Sequence, residues 1–213
     1  LVIRPARADD LEELVDLAAR TFPDACPSFL TPAQIAAHIA TNLTPERLTV
    51  WMNDPRVVLT IAELPEGLPA LPGGDAAPVP AGGLVGYSAV LAEIPDADGA
   101  LPAGLDPRPR SVPVPPRADG SPALAAELSK IYLDARLRSS GIAAALLAQA
   151  IRDAANLGVT ALWLGTNDTN RRAQKAYRRA GLRKTGTRVY DVGGQQCRDV
   201  VMALNPQETI PGD

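Results

Sequence analysis

Arg138-Ser139-Ser140-Gly141-Ile142-Ala143 sets a short polar turn directly before the apolar repeat "IAAALLAQAI". The first turn of a helix leaves backbone N–H groups without partners and carries the positive end of the peptide dipole. A glycine-containing turn leading into it is therefore a seat for phosphate. The N–H groups from Ser139 to Ala143 are the candidate donors, and Gly141 lets the backbone approach closely because it has no Cβ. Arg136 and Arg138 add positive charge beside it. Out of context the same residues also make a plain turn before a helix. His38, the single histidine, lies in a helical stretch away from this turn and reads as a surface or packing residue rather than a base. Cys26 and Cys197 are too few and too far apart for a disulfide framework and read as reduced, half-buried thiols. No Cys/His cluster has ligand spacing, so no metal is expected.

The phosphate turn needs a strand before it and a helix after it. "ELSKIYLDA" supplies a strand from Glu127 to Leu133, and Gly141 to Asn156 a helix with Ile142, Leu146, Ala150 and Ala154 on its apolar face. "VTALWLGT" reads as a short buried strand, Asn170 to Ala180 as a helix closed by Gly181, and two last strands meet at Gly193-Gly194. Upstream, Leu1 to Arg4 reads as a strand, and Asp9 with Glu12 has the spacing of a capping box for a helix with Leu11, Leu14, Val15 and Ala18 on one face. Thr31-Pro32 and Thr44-Pro45 predict two more helices, each with a capping threonine before proline. Arg56 to Glu63 and Gly83 to Glu93 are rich in strand formers and predict a pair. The order predicts a mixed α/β (α+β) sheet with helices on its faces.

The 213 residues suit one domain, 1–213, carrying insertions. Between Leu64 and Ala123 lie 13 of the 21 prolines, which continue neither helices nor central strands. They predict insertions at about 64–82, extending a hairpin, and at about 95–123, with mobile parts. With 46% hydrophobic residues, 21% charged and a net charge of −3, the chain offers no basic field for nucleic acid. No apolar run approaches the roughly 18 to 20 residues of a membrane helix, and no leader pattern is present, which makes no membrane partner and a cytoplasmic location the expectation.

Arg138 to Ala143 fits the R/Q-x-x-G-x-G/A signature, and "TNDTNRRAQKAYRRAGL" carries Asn170, Ala173, Tyr177, Gly181 and Leu182 at matching spacing. In these segments the chain resembles the GNAT acyltransferase superfamily over roughly Glu127 to Leu204. "ELSKIYL", "LWLGTNDTNRRAQKAY", "TGTRVYDVGGQQCRDVVMAL", "TFPDA" and "NLTPERLTVWMNDP" are similar to its bacterial spermine/spermidine N-acetyltransferase branch. The resemblance implies a mostly antiparallel sheet flanked by helices on both faces. It also implies direct acetyl transfer from acetyl-CoA to a primary amine, without metal.

Carried onto this sequence, it implies that Arg138, Ser139, Ser140, Gly141, Ile142 and Ala143 hold the pyrophosphate. Ala144 departs from the basic or hydroxyl residue of many relatives, shifting affinity to other groups. Ile131 and Leu133 lie along the cofactor, Leu133 where its strand splays and an N–H meets the thioester carbonyl, a kind of donor worth about 2.7 to 4 kcal/mol in other enzymes. Asn170 and Ala173 follow the pantetheine arm, and Asn170 also suits an N-cap. Tyr177 matches the tyrosine that protonates the departing thiolate; otherwise it is an aromatic packed on a helix face. Glu127 matches a carboxylate base of some histone-acetylating relatives, and plain alternation puts it on the face of Ser129, Ile131 and Leu133. Glu93 is the alternative, and either also reads as a solvated strand-end carboxylate.

For the acceptor, Asp24, Glu93, Glu127, Asp134 and Asp191 would draw a cationic amine such as a polyamine. An antibiotic amine, an amino acid or a protein N-terminus stays open, and so does a non-catalytic acyl-CoA-binding sensor. The resemblance also admits a homodimer through sheet edges or faces.

Overall fold

A computed structural model describes residues 1–69 and 77–209. Seven strands form one sheet: β1 (Val2–Pro5), β2 (Val57–Leu64), β3 (Gly83–Ala92), β4 (Ala125–Leu133), β5 (Ala161–Asn167), β6 (Arg183–Val192) and β7 (Gln195–Leu204). They lie in the order β1-β2-β3-β4-β5-β7-β6. All pairs are antiparallel except β4 with β5, where the returning helix forces a parallel crossover. The helices are α1 (Leu11–Thr21), α2 (Pro32–Asn42), α3 (Pro45–Asn53), α4 (Ile142–Asn156), α5 (Arg171–Arg179) and the short α6 (Pro206–Thr209). This is the mixed, mostly antiparallel architecture expected from the sequence.

Each face of the sheet has its own core. Leu14, Leu17 and Ala18 of α1 and Leu48 and Trp51 of α3 pack on Leu59, Tyr87, Ala89 and Leu91. On the opposite face Leu147, Ala150, Ile151 and Ala154 of α4, with Tyr177 of α5 and Ala180 at its end, pack on Val90, Ala126, Leu128 and Leu162. Thr31 and Thr44 cap α2 and α3, accepting from the Gln34 and Arg47 N–H groups at 3.3 and 3.2 Å. The predicted Asp9–Glu12 box does not form. A single turn of 3-10 helix, Ala8–Asp10, precedes α1. Asp10 is held by Arg4 at 2.7 and 2.8 Å and by the Arg7 N–H at 2.7 Å, an ion-paired anchor that replaces the cap.

The register of β4 corrects the sequence reading of its faces. Ala89 pairs with Lys130 but Val90 with Leu128, leaving Ser129 as an extra residue in a β-bulge. The bulge inverts the alternation. Glu127 therefore shares its face with Lys130 and Tyr132, opposite Ile131 and Leu133, which pack with Leu146 toward α4.

The described parts of the proline-rich segments make contacts with the rest of the domain. Leu68 and Val79 bridge the first, extending the β2–β3 hairpin; the expectation for 70–76 lies outside the described residues. In the second, the Trp51 indole donates to the Ala103 carbonyl at 2.6 Å and Thr160 to the Pro115 carbonyl at 2.6 Å. Val112, 2% exposed, packs on Ala125, Trp163 and Val201. This segment covers the part of the sheet face that α1 and α3 leave open.

Candidate active site

Strands β4 and β5 pair only at Ala125–Ala161, Ala126–Leu162 and Glu127–Trp163. Beyond that point β4 continues along β3 and β5 along β7, and a wedge opens between them. The Asp134 N–H donates to the Val85 carbonyl on the β3 side at 2.7 Å. Successive N–H groups of a strand point to opposite edges, so those of Leu133 and Ile131 turn toward the wedge. Two cavities meet there, of about 720 and about 180 Å³. Ile131, Tyr132, Asn170, Ala173 and Tyr177 line both.

The larger cleft runs between α4 and α5 over Ala143, Ala144, Leu147, Ala148, Ala173 and Ala176, a slot left open by small side chains. Arg138, Arg152, Arg172 and Arg179 stand along it. Arg138 is 3.3 Å from Asp24, whereas the other three have no ion-pair partner among the described residues. Of the turn residues, Arg138 and Ala143 line the cleft; Ile142 is a core residue. Ser139 and Gly141 are both in the left-handed region, at φ 69° and 89°, the kind of backbone from which anion-binding turns are built, while neither they nor Ser140 line the cleft. The expected row of donors is thinned: the Ser140 N–H goes to the Leu137 carbonyl at 3.2 Å and the Ile142 N–H to Ser140 Oγ at 3.3 Å. Those of Ser139, Gly141 and Ala143 keep no partner in the turn. Guanidinium groups without ion-pair partners and N–H groups without partners among the described residues, beside an alanine-lined slot, together fit coenzyme A, with its phosphates and narrow arm.

Glu127 sits in the smaller cavity, 2% exposed. Its Oε2 accepts from the Asp106 N–H at 3.1 Å, and its Oε1 lies 3.4 Å from Arg188 Nη1. Burial pushes its carboxyl up to about 7, assisted by the charge of Asp106 and opposed by Arg188 and Lys130. Lys130, also buried, bonds Ser129 Oγ at 3.2 Å and lies 5.8 Å from the Trp51 ring; burial lowers its pKa. Tyr177 has its hydroxyl pushed up to about 12 by burial, so it stays protonated at neutral pH. Asn170 Oδ1 accepts from the Ala173 N–H at 3.1 Å and caps α5 while its residue lines both cavities.

The other sequence candidates are committed elsewhere. Glu93 pairs with Arg108 at 2.9 Å and accepts from the Trp163 indole at 3.3 Å. Asp134 is held by Arg136 at 2.8 Å and by Arg20 at 3.3 Å, which takes Arg136 away from any phosphate. Asp191 accepts from Gly194 N–H and Gln196 in the β6–β7 turn, and Asp24 faces the larger cleft instead of the smaller. His38 is a packing residue: it stacks on Phe22 at 4.6 Å and burial pushes it down to about 4. Cys26 and Cys197 are free thiols, both lining the smaller cavity.

Sequence reasoning missed Asp106, Lys130, Arg188 and Asp199, which surround Glu127. A signal existed in Gly165, set in a buried strand, where glycine marks a close approach. Arg188 lies across it, and a Cβ there would meet its Nε at 2.5 Å. No local pattern marks Asp106, because only the path of the proline-rich segment brings it to Glu127.

Residues 110–182 match the model of the acetyltransferase (GNAT) family. An uncharacterized N-acetyltransferase of Mycobacterium tuberculosis is 32% identical over 193 residues, 91% of this chain and 96% of its own. Among solved structures, NAA60 of Arabidopsis thaliana with acetyl-CoA superposes with a TM-score of 0.62 at 16% identity, covering 96% of this chain and 97% of its own. The PaiA N-acetyltransferase of Thermoplasma acidophilum with coenzyme A gives 0.61 at 14% identity, over 96% and 98%. No helix among the described residues is long and apolar enough to cross a membrane. A wedge between two parting parallel strands, a cationic slot beside it and a relative matched over nearly its whole length agree: the chain belongs to the GNAT family of acetyltransferases.

Proposed function

We propose that this acetyltransferase moves the acetyl group of acetyl-CoA directly to a primary amine of a slim small molecule. The observation that carries this reading is the meeting of the two cavities at Tyr177, with Glu127 on the far side in the smaller one. The larger cleft takes coenzyme A, its phosphates at the N–H groups of Ser139, Gly141 and Ala143 and at Arg138, Arg152, Arg172 and Arg179. These arginines answer the departure at Ala144. The thioester supplies the activated acetyl group and its thiolate leaving group.

Each protein group then has one task. Glu127, poised near neutral pH, removes a proton from the bound ammonium, directly or through water, and yields the neutral amine that can attack. The N–H of Leu133, or of Ile131, meets the carbonyl oxygen as negative charge develops there. Tyr177 donates its proton to the departing sulfur, which leaves as the free thiol; the acylated nitrogen returns its surplus proton to the tyrosinate directly or through water, and Glu127 releases its own proton to solvent.

The polyamine suggested by the resemblance loses its electrostatic basis along the chain, since of the five expected carboxylates only Glu127 lines the smaller cavity. Glu127, Asp106 and Asp199 there face Arg188 and Lys130, so charge recognition acts on one amine end and not on a run of ammonium groups. Thiol release from acetyl-CoA, followed across putrescine, spermidine, amino-acid amides, an N-terminal peptide and an aminoglycoside, tests the reading. A single class of slim primary amine should turn over. Tight coenzyme A binding with no amine acetylated would instead identify a sensor module.

A further inference from the structure

We propose that Asp106, on the proline-rich segment between β3 and β4, is a positioning residue that completes the base site by holding Glu127 and sharing Arg188 with it. The inference rests on Glu127 acting as the base. Two contacts carry it. The Asp106 backbone N–H donates to Glu127 Oε2 at 3.1 Å, and the Asp106 carboxylate takes Arg188 Nη1 at 2.9 Å. The same Nη1 is 3.4 Å from Glu127 Oε1, and Arg188 Nε is 3.3 Å from Asp199.

One guanidinium thus serves three carboxylates. A carboxylate with an arginine to itself becomes a weak base, its pKa lowered by about 1 to 3 units. By taking the shorter contact, Asp106 offsets the charge that Arg188 presents to Glu127, and its own negative charge disfavours ionisation of the neighbour. Arg188 has little room to move, since it lies 5.2 Å from the Trp163 ring and 4.9 Å from that of Tyr190, across Gly165. The groups facing Glu127 are therefore Asp106 from the segment, Lys130 from β4, Arg188 and Tyr190 from β6, and Asp199 from β7.

The segment is built to hold Asp106 still. Ala103 is bonded by the Trp51 indole on one side; on the other, Arg108 bonds Glu93 at 2.9 Å and Val112 is buried. Leu105 packs into the core of α1 and α3, and Pro102, Pro107 and Pro109 reduce the freedom lost on docking.

The test compares Asp106→Asn, Asp106→Glu and Glu127→Gln in the full chain, with acetyl-CoA and the best amine of the panel, from pH 5.5 to 9. Asp106→Asn keeps the N–H and removes the charge. Arg188 in its fixed position then acts on Glu127 without the counter-charge of Asp106, so the acid limb of kcat/KM for the amine moves down by about one pH unit, and kcat at pH 8 falls about tenfold as the base weakens. KM for acetyl-CoA stays unchanged, and Asp106→Glu restores part of the limb. Asp106→Ser, read the same way, covers a folding failure of Asp106→Asn in a thermal melt. An unmoved acid limb in the Asp106 variants, with the limb abolished in Glu127→Gln, overturns the role of Asp106 and leaves the base in place. A limb retained in Glu127→Gln overturns the base reading itself, and the proposal with it.

Discussion

Replacing Glu127 with Gln removes one buried charge at almost constant volume, and the structure assigns that change two opposite effects. Wild-type Glu127 holds its proton until about pH 7 in place of the ordinary 4.5. The difference corresponds to about 3 kcal/mol in favour of the protonated form in the folded state. Between those pH values the native chain binds the proton more tightly than the unfolded chain. Stability from this group is therefore full below pH 4.5 and lost as pH rises to 7, above which the buried carboxylate imposes its whole cost. Gln has no proton to lose. In urea unfolding followed by fluorescence of Trp51 and Trp163, the stability of Glu127→Gln relative to wild type should rise by about 2 to 3 kcal/mol from pH 5 to pH 8. Over the same range its turnover should fall by about 10²- to 10⁴-fold, the value of a positioned base. A stability difference flat with pH would refute the burial argument, and retained turnover would refute the catalytic one.

Tyr177→Phe should lower kcat by about 10²-fold or more while leaving the Kd of coenzyme A within about twofold, read by stopped-flow thiol release and calorimetry. Unchanged turnover would remove Tyr177 as the acid. Gly141→Ala meets open space but demands φ of 89°, so it should cost about 1 to 2 kcal/mol in a melt and also weaken coenzyme A, since the turn relaxes away from the left-handed form. The double change Arg172→Ala and Arg179→Ala should raise the KM for acetyl-CoA roughly tenfold and flatten its salt dependence, with kcat unchanged. A salt dependence as steep as that of wild type would mean the phosphates lie elsewhere.

The order of elements, the cap at Asn170, the caps of α2 and α3 and the turn before α4 were legible in the sequence because each depends on residues within a few positions of one another. Periodicity and short-range hydrogen bonding fix them before any long-range contact forms. The same locality placed Tyr177 and Ala173 on one helix and Ile131 and Leu133 on one strand. Three features were decided by tertiary structure alone. The Ser129 bulge reversed the face of Glu127, because only pairing with β3 shows which residue is extra. The commitment of Asp134, Glu93 and Asp191 to other partners was invisible, since ion pairing is settled by proximity and not by charge sign. The surroundings of Glu127 come from four places, Asp106, Lys130, Arg188 and Asp199, as far as 93 positions apart. A chemically useful pKa at Glu127 requires desolvation and competing charges, and both exist only once the proline-rich segment and the last hairpin have closed over the sheet.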